Sequence, residues 1–507
     1  MQETNLKLPR NPAVRKWSNR ILAASLFGIL FFTLFPYWAD FSIRHGLDRS
    51  PLLLGGPLHF DGILHTFLNT LLFVPFGFAL SQFAAVRKKS LLKYVALGVI
   101  AGAALSYSIE ILQLYMPSRD SAWDDVLANT LGAVIGMASG VMLGDPICRR
   151  FSEWEGRLER FLTLRKLVFA AIIYLAAWLA ISVPLQQKTS LNNWDLNSFL
   201  IVGYDAREGS RWSGKVFRIQ LWDHALTANQ AISLSAKRDF SSDSISGALA
   251  AYDLTQTPPI ADNTGSFPNL VVKPIQAGIH QPDARLDRLA LISAAPVPSL
   301  ASAVHQTNQL SVLIDCMPGR GNDTDGAILA LANSSGRSDL FLRQDHSSLV
   351  IYLRNGLDSR RAAVAWHVPG AFVTSVRRTL VFTYDGAQGA LYVDGKKELR
   401  SYYLSPGAGL VELFIRIKTD ELVAYSVLYD ALVFLPMGFF LGLAARIIPC
   451  RSPFRELYLG LGIVVPAMLV ETLLVSISGR HVSTLQLALS IWLTIAGMVW
   501  MNLDSSG

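Results

Sequence analysis

The chain has 507 residues, of which 51% are hydrophobic and only 16% charged, with a formal net charge of +7. A soluble protein of this length would carry nearer a quarter charged residues, and the excess of Lys and Arg sits in short stretches between apolar runs, as membrane topology requires, so nucleic acid is excluded as the partner of that charge. Cys148, Cys316 and Cys450 are the only cysteines and form no CxxC pair or ligand cluster, which excludes a disulfide framework and a thiolate metal site.

The N-terminus places Lys7, Arg10, Arg15, Lys16 and Arg20 before an apolar run from Ile21 to Trp38. No small-residue cleavage site follows, so the reading is an uncleaved first helix. Apolar runs of membrane length cover about 20–38, 62–84, 92–114, 124–144, 166–185, 423–446, 456–477 and 482–503. The tail and the loops after the second, fourth and sixth runs hold eighteen Lys and Arg. The opposite loops hold only Arg44, Arg49, Arg119 and Arg480. That asymmetry predicts cytoplasmic termini. The charged link 146–165, with Glu153 four before Arg157, reads as an interfacial or cytoplasmic helix.

Residues 61–140 carry a polar set over three apolar runs: Asp61, His65, Asn69, Glu110, Gln113, Arg119, Asp124, Asp125 and Asn129. Ionisable groups in or beside membrane helices are costly and mark a functional site by default. The predicted topology brings this set to the outer ends of the second, third and fourth spans. Asp61, His65 and Asn69 share one helical face, as do Asp125 and Asn129. Asp124 and Asp125 sit at a helix start, where negative charge is favoured. Two readings stand. The set binds a polar head group or performs acid–base chemistry, with Arg119 holding an anionic part; or it is polar glue, locking helices through buried ion pairs and hydrogen bonds. Spacing fixes no third strong metal ligand beside His65, so no metal is expected. Gly132, Gly136 and Gly140 form a small-residue stripe for close helix packing, and Pro75 and Gly77 kink or narrow the second helix.

Residues 186–421 differ in kind, being rich in Ser, Asp, Asn and Gly. Alternating stretches at Lys215–Leu221, Leu310–Ile314, Ser348–Leu353, Arg378–Thr383 and Gly389–Val393, with turn signals such as Asn355-Gly356 and Asp394-Gly395, predict an antiparallel all-β sandwich. The topology places it outside the cytoplasm. Asn322-Asp323-Thr-Asp325-Gly326 is a candidate calcium loop, and a plain turn explains it as well, since the twelve-residue ligand pattern is incomplete. Otherwise no cofactor is expected.

The C-terminal runs echo the first ones at a constant offset of 361. Phe73-Val-Pro75-Phe-Gly77-Phe aligns with Phe434-Leu-Pro436-Met-Gly438-Phe, Glu110 with Glu471, Arg119 with Arg480, and Gly136-Met137 with Gly497-Met498. Orientation is kept, so the predicted repeat is parallel. Asp124 becomes Leu485, Asn129 Ser490 and His65 Ser426. The second copy therefore reads as degenerate and mainly structural.

The motifs Asp61-x-x-x-His65, Pro75-x-Gly77, Glu110-x-x-Gln113, Arg119, Asp124-Asp125 and Asn129-x-x-Gly132-x-x-x-Gly136 resemble the VanZ-like membrane domain, named after a glycopeptide-resistance accessory protein. The likeness covers about a quarter of the chain and implies a multi-pass cell-envelope protein of a bacterial plasma (inner) membrane. Leu380-Val-Phe-Thr-Tyr-Asp385, Leu391-Tyr-Val-Asp394-Gly-Lys396 and Trp212-Ser-Gly-Lys-Val-Phe-Arg-Ile-Gln-Leu-Trp-Asp-His-Ala-Leu226 resemble a LamG-like, concanavalin A-like jelly roll. In such domains the tryptophan–glycine strand comes last, whereas here it precedes Ala251-Tyr-Asp. That order suggests a circular permutation, which adjacent domain termini permit.

The expected architecture is a polytopic α-helical membrane protein of about eight transmembrane helices with a parallel internal repeat and an extracytoplasmic jelly-roll insert. Its domains run 1–145, 146–185, 186–421 and 422–507. Expected partners are a membrane lipid or lipid-linked envelope precursor at the outer leaflet and a glycan or surface polymer on the sandwich. An enzyme acting on a lipid-linked saccharide and a protein-binding scaffold remain open. The first is disfavoured because no nucleophile motif, phosphate loop or defined metal site appears.

Overall fold

A computed structural model describes residues 12–34, 63–84, 91–113, 122–204, 211–236, 246–274, 289–319, 325–357, 364–372, 374–398, 402–414, 417, 419–449 and 454–502. The chain divides into two compact units. One comprises Met1–Leu175, Val433–Val465 and Ser490–Gly507, the other Ala176–Leu432 and Pro466–Leu489.

The first unit is helical. Its elements are α1 (Pro12–Leu34), α2 (Ile63–Ala84), α3 (Leu91–Gln113), α4 (Trp123–Phe161) and the start of α5 (Leu164–Gln187). Parts of α9 (Leu422–Ile447), α10 (Arg455–Ser478) and α11 (Thr484–Asn502) complete it. Inside a bilayer a helix satisfies every backbone polar group within its own segment, which is why apolar runs of this length take that form. Seven described helices are long and apolar enough to cross a membrane, and α2 contributes a shorter apolar stretch, Thr66–Gln82.

Two boundaries differ from the sequence expectation. The first helix begins at Pro12, not near residue 20, so Arg15, Lys16 and Arg20 are helical. Proline suits a first helical turn because its missing N–H would be unpaired there anyway. The fourth span and the charged link form one helix of 39 residues that continues through Pro146.

Packing centres on α2 against α4. A Cβ on Gly77 would lie 2.0 Å from the Ala133 carbonyl oxygen, one on Gly132 2.0 Å from that of Thr70, and one on Gly136 2.0 Å from that of Val74. The two backbones touch, and only hydrogen fits between them. Gly140 abuts the Ser81 hydroxyl. Ile29, Phe73, Phe76, Ile109 and Ala133 form the buried cluster that joins α1, α2, α3 and α4.

The second unit holds two antiparallel seven-stranded sheets. Its strands are β1 (Phe199–Val202), β2 (Lys215–Trp222), β3 (Ala250–Asp253), β4 (Leu270–Pro274), β5 (Leu289–Ser293), β6 (Leu310–Met317), β7 (Gly326–Ala332), β8 (Ser338–Asp345), β9 (Ser348–Leu353), β10 (Ala365–Val368), β11 (Arg378–Tyr384), β12 (Gln388–Val393), β13 (Lys396–Lys397) and β14 (Tyr402–Tyr403). One sheet runs β10-β9-β8-β7-β1-β5-β4. The other runs β13-β12-β11-β6-β2-β3, with β14 also pairing β12. The five alternating stretches in the sequence fall on β2, β6, β9, β11 and β12. Leu200, Leu329 and Leu342 from one sheet meet Ile219, Ile314 and Phe382 from the other in a single buried core. The short helix α6 (Ala228–Ala236) covers Trp222, Leu313 and Val381 on the outer face of the second sheet.

Asp394-Gly395, both at positive φ, make the hairpin between β12 and β13. Asn355-Gly356 makes no hairpin: a Cβ on Gly356 would lie 2.7 Å from the Lys188 carbonyl oxygen, so the glycine admits a close backbone approach. After α7 (Pro298–Thr307), Asn308 and Gln309 donate to the Ser478 and Gly479 carbonyls at 2.8 and 2.7 Å. The helix α8 (Pro406–Glu412) returns to the entry point of the sheets, where Lys188 pairs with Glu412 at 2.7 Å.

Candidate functional site

The polar set of the first unit lies where α2, α3 and α4 meet. Asn69 on α2 donates to the Asp125 carboxylate on α4 at 2.5 Å. Buried Glu110, in the last turn of α3, accepts the Ala122 N–H at 3.0 Å, one residue before α4 begins. It thereby takes a backbone donor that the helix start cannot satisfy itself. Gln113 donates to the Thr33 carbonyl of α1 at 2.7 Å. Asn129 donates to the Ser106 hydroxyl of α3 at 2.9 Å, while its side-chain oxygen is buried without a hydrogen-bond partner among the described residues. Whichever way that amide is turned, one of its two polar atoms is left over for another group. Asp124 is buried and Asp125 half-buried, both in the first turn of α4, facing the positive end of its dipole.

Three members of the set are not placed. Asp61 and Arg119 lie outside the described residues, and His65 lies in α2 with its side chain outside them. The geometry thus joins Asn69 to Asp125, Glu110 to the start of α4, Gln113 to α1 and Asn129 to Ser106.

The VanZ/LLP1 family model matches residues 13–144. That VanZ-like segment contains every placed residue of the set and ends inside α4, before the charged end of that helix. No curated protein and no solved structure matches the chain. With membrane-length helices around it, the VanZ-like segment makes the chain a cell-envelope-associated membrane protein.

A second polar set lies in the second unit. Glu471 on α10 accepts the Ser483 N–H at 2.7 Å just before α11, and Arg480 pairs with the other Glu471 oxygen at 2.6 Å, all within buried or half-buried surroundings. Gln486 on α11 hydrogen-bonds Asp430 on α9, and Tyr403 of β14 donates to Gln486 at 2.6 Å. One oxygen of buried Asp430 has no partner among the described residues. Burial pushes the Tyr403 hydroxyl up to about 12, so it stays a donor at every physiological pH.

Two of these contacts sit 361 residues after contacts in the VanZ-like segment. Ala122 to Glu110 matches Ser483 to Glu471, and Asn69 with Asp125 matches Asp430 with Gln486. The glycine approaches match as well: Gly77 to Ala133 with Gly438 to Thr494, and Gly136 to Val74 with Gly497 to Leu435. Asp430 and Gln486 escaped the sequence reading, which aligned like with like. Adding 361 to Asn69 and Asp125 finds them, with the carboxylate and the amide exchanged between helices.

On the sandwich, Asn322 and Asp323 lie outside the described residues. Asp325 instead accepts the His346 N–H at 2.6 Å, and its carboxylate, Asp345 and the His346 ring have ligand atoms within 4.8 Å of one another. These three side chains could hold a cation. The hydrogen bond that the His346 ring makes to the Asp345 carboxylate, then the charges of Asp325 and Asp345, raise the His346 pKa above its ordinary value.

Proposed function

We propose that the α2–α4 polar set is an outer-leaflet site for the polar head of an amphiphile, such as a lipid-linked envelope precursor. On this reading the chain is a parallel duplication, with its termini cytoplasmic and its sandwich extracytoplasmic. The sandwich, a LamG-like jelly roll in circularly permuted order, recognises a glycan or surface polymer. Support for sidedness comes from the distribution of Lys and Arg. The observation that carries the site is Asn129. It is buried, its amide has a polar atom to spare, and Asp124, Asp125 and Asn69 stand on the same two helices. A leftover buried amide group costs about 1–3 kcal/mol unless a further group satisfies it.

A second reading fits Glu110 and Gln113 better. Each is buried and already bonded to backbone of a neighbouring segment, Ala122 and Thr33, so they act as locks between helices.

The test separates the two roles by measuring abundance, melting temperature in detergent and glycopeptide susceptibility together. Asn129→Ala and Asp124→Asn should lose the envelope phenotype at near-normal abundance and melting temperature. Glu110→Gln and Gln113→Ala should lower abundance, with phenotype falling in proportion. Proportional loss in all four variants would sink the binding site.

A further inference from the structure

Within the second unit, buried Asp430 on α9 is hydrogen-bonded to Gln486 of α11, while its Oδ2 has no partner among the described residues. Ser426 stands one turn earlier on α9, Tyr403 comes from β14, and Glu471 of α10 lies nearby with its partner Arg480. Gln486 ties these groups together. Its amide nitrogen lies 3.5 Å from the Ser426 hydroxyl, and its oxygen accepts from Tyr403 at 2.6 Å. Ser426 in turn hydrogen-bonds the Tyr403 hydroxyl. Tyr403 is half-buried and the other five side chains are buried.

Two carboxylates, Asp430 and Glu471, face one guanidinium, that of Arg480, so these described groups fall one positive charge short. Charge withdrawn from water is costly unless it is compensated. A proton on Asp430 would cancel the charge and still leave Oδ2 with no group to bond, whereas a metal ion bound to Oδ2 answers both demands. The remaining donors are hydroxyl and amide oxygens, which are hard ligands, and the shortfall is a single unit. That combination suits a monovalent hard cation over calcium or zinc. Walls of buried side chains suit an ion rather than a head group.

We propose that Asp430 anchors a sodium-binding site in the second unit, with Oδ2 as the charged ligand and the Ser426 and Tyr403 hydroxyls as neutral ones. Carboxylates within membrane helices commonly mark ion sites. A sodium ion here fastens a strand of the sandwich, β14, to the helices α9 and α11. The site is separate from the α2–α4 set and does not depend on what that set binds.

The full chain, purified in detergent, provides the test, with sodium chloride compared against choline chloride at equal ionic strength and pH. Sodium should raise the melting temperature saturably. Asp430→Asn, which keeps the shape and removes the charge, should abolish that response. Tyr403→Phe, which removes one hydroxyl, should raise the half-saturating sodium concentration about tenfold, the effect of one lost polar contact. Asp145→Asn, which removes an exposed carboxylate of α4, should leave the response intact. If Asp430→Asn does not fold, retention of radiolabelled sodium by the wild type, weakened in Tyr403→Phe, decides the matter. Equal wild-type melting in sodium and choline, a sodium response kept in Asp430→Asn, or equal losses from Tyr403→Phe and Asp145→Asn would each overturn the proposal. So would a melting temperature that follows pH and ignores sodium, which would mean that Asp430 takes a proton only.

Discussion

Asn69–Asp125 and Asp430–Gln486 are one carboxylate and one amide arranged in opposite orders. The exchange keeps the net charge of the pair and one donor–acceptor contact, which is what a membrane interior demands. Asn69→Asp alone should set two acids against each other and lower the melting temperature in detergent. Adding Asp125→Gln, which writes the second arrangement into the first, should restore most of the loss, with a coupling of about 0.5–3 kcal/mol in a double-mutant cycle. A double variant no more stable than the single one would show that the pair does not set stability. The exchange also explains the limit of the sequence reading. Glu110 with Glu471 and Arg119 with Arg480 were legible because the residue types persist. Asp430 and Gln486 were not, because hydrogen bonding conserves a sum of partners and leaves each position free to change. His346 and Asp345 were missed for a different reason: the chain brings them to Asp325 only by pairing β7 with β8. The His346 pKa lies above the ordinary histidine value, so its favourable contacts are fully present below that value and are lost as pH rises through the raised one. An NMR titration of the His346 ring should show this, and Asp325→Asn should bring the midpoint back down.

Helix packing in the first unit depends on hydrogen standing where other residues carry a methyl group. Gly136→Ala would drive a methyl into the Val74 carbonyl, and the helices would have to part. The expected cost is about 1–3 kcal/mol, read as a lower melting temperature. Gly156 lies on the same helix with nothing within 4 Å of the point a methyl group would occupy. Gly156→Ala should therefore be neutral or stabilise by up to ~1 kcal/mol through helix propensity. Equal effects from both would mean that the close approach is not what fixes α2 on α4. The stripe was legible because its spacing of four matches the helical period. The length of α4 was less so, because the change from apolar to charged residues near Pro146 suggests a boundary in composition where the backbone has none.

For the whole molecule, the strands were legible from alternation, and the order of strands within the two sheets was not. Sheet order depends on contacts between residues far apart in sequence, such as Phe199 with Ala332 and Lys215 with Met317. The sandwich has its own buried core, and Lys188–Glu412 closes its two ends together. Residues 188–414 expressed alone should give a soluble domain with a β-dominated far-UV circular dichroism spectrum and cooperative melting. A helix-dominated spectrum or an aggregate would show that the sheets need the membrane helices to fold. At about 1.5 Å per residue the 39 residues of α4 extend roughly 58 Å, nearly twice the ~30 Å hydrocarbon thickness of a bilayer. The helix is thus a lever. Asp124 and Glu155 stand about 46 Å apart on it, with no loop between them and one hydrogen bond removed at Pro146. A tilt of α4 at its Asp125 end would be carried along a single rod to Glu155, which pairs with Lys16, Arg20 and Arg446.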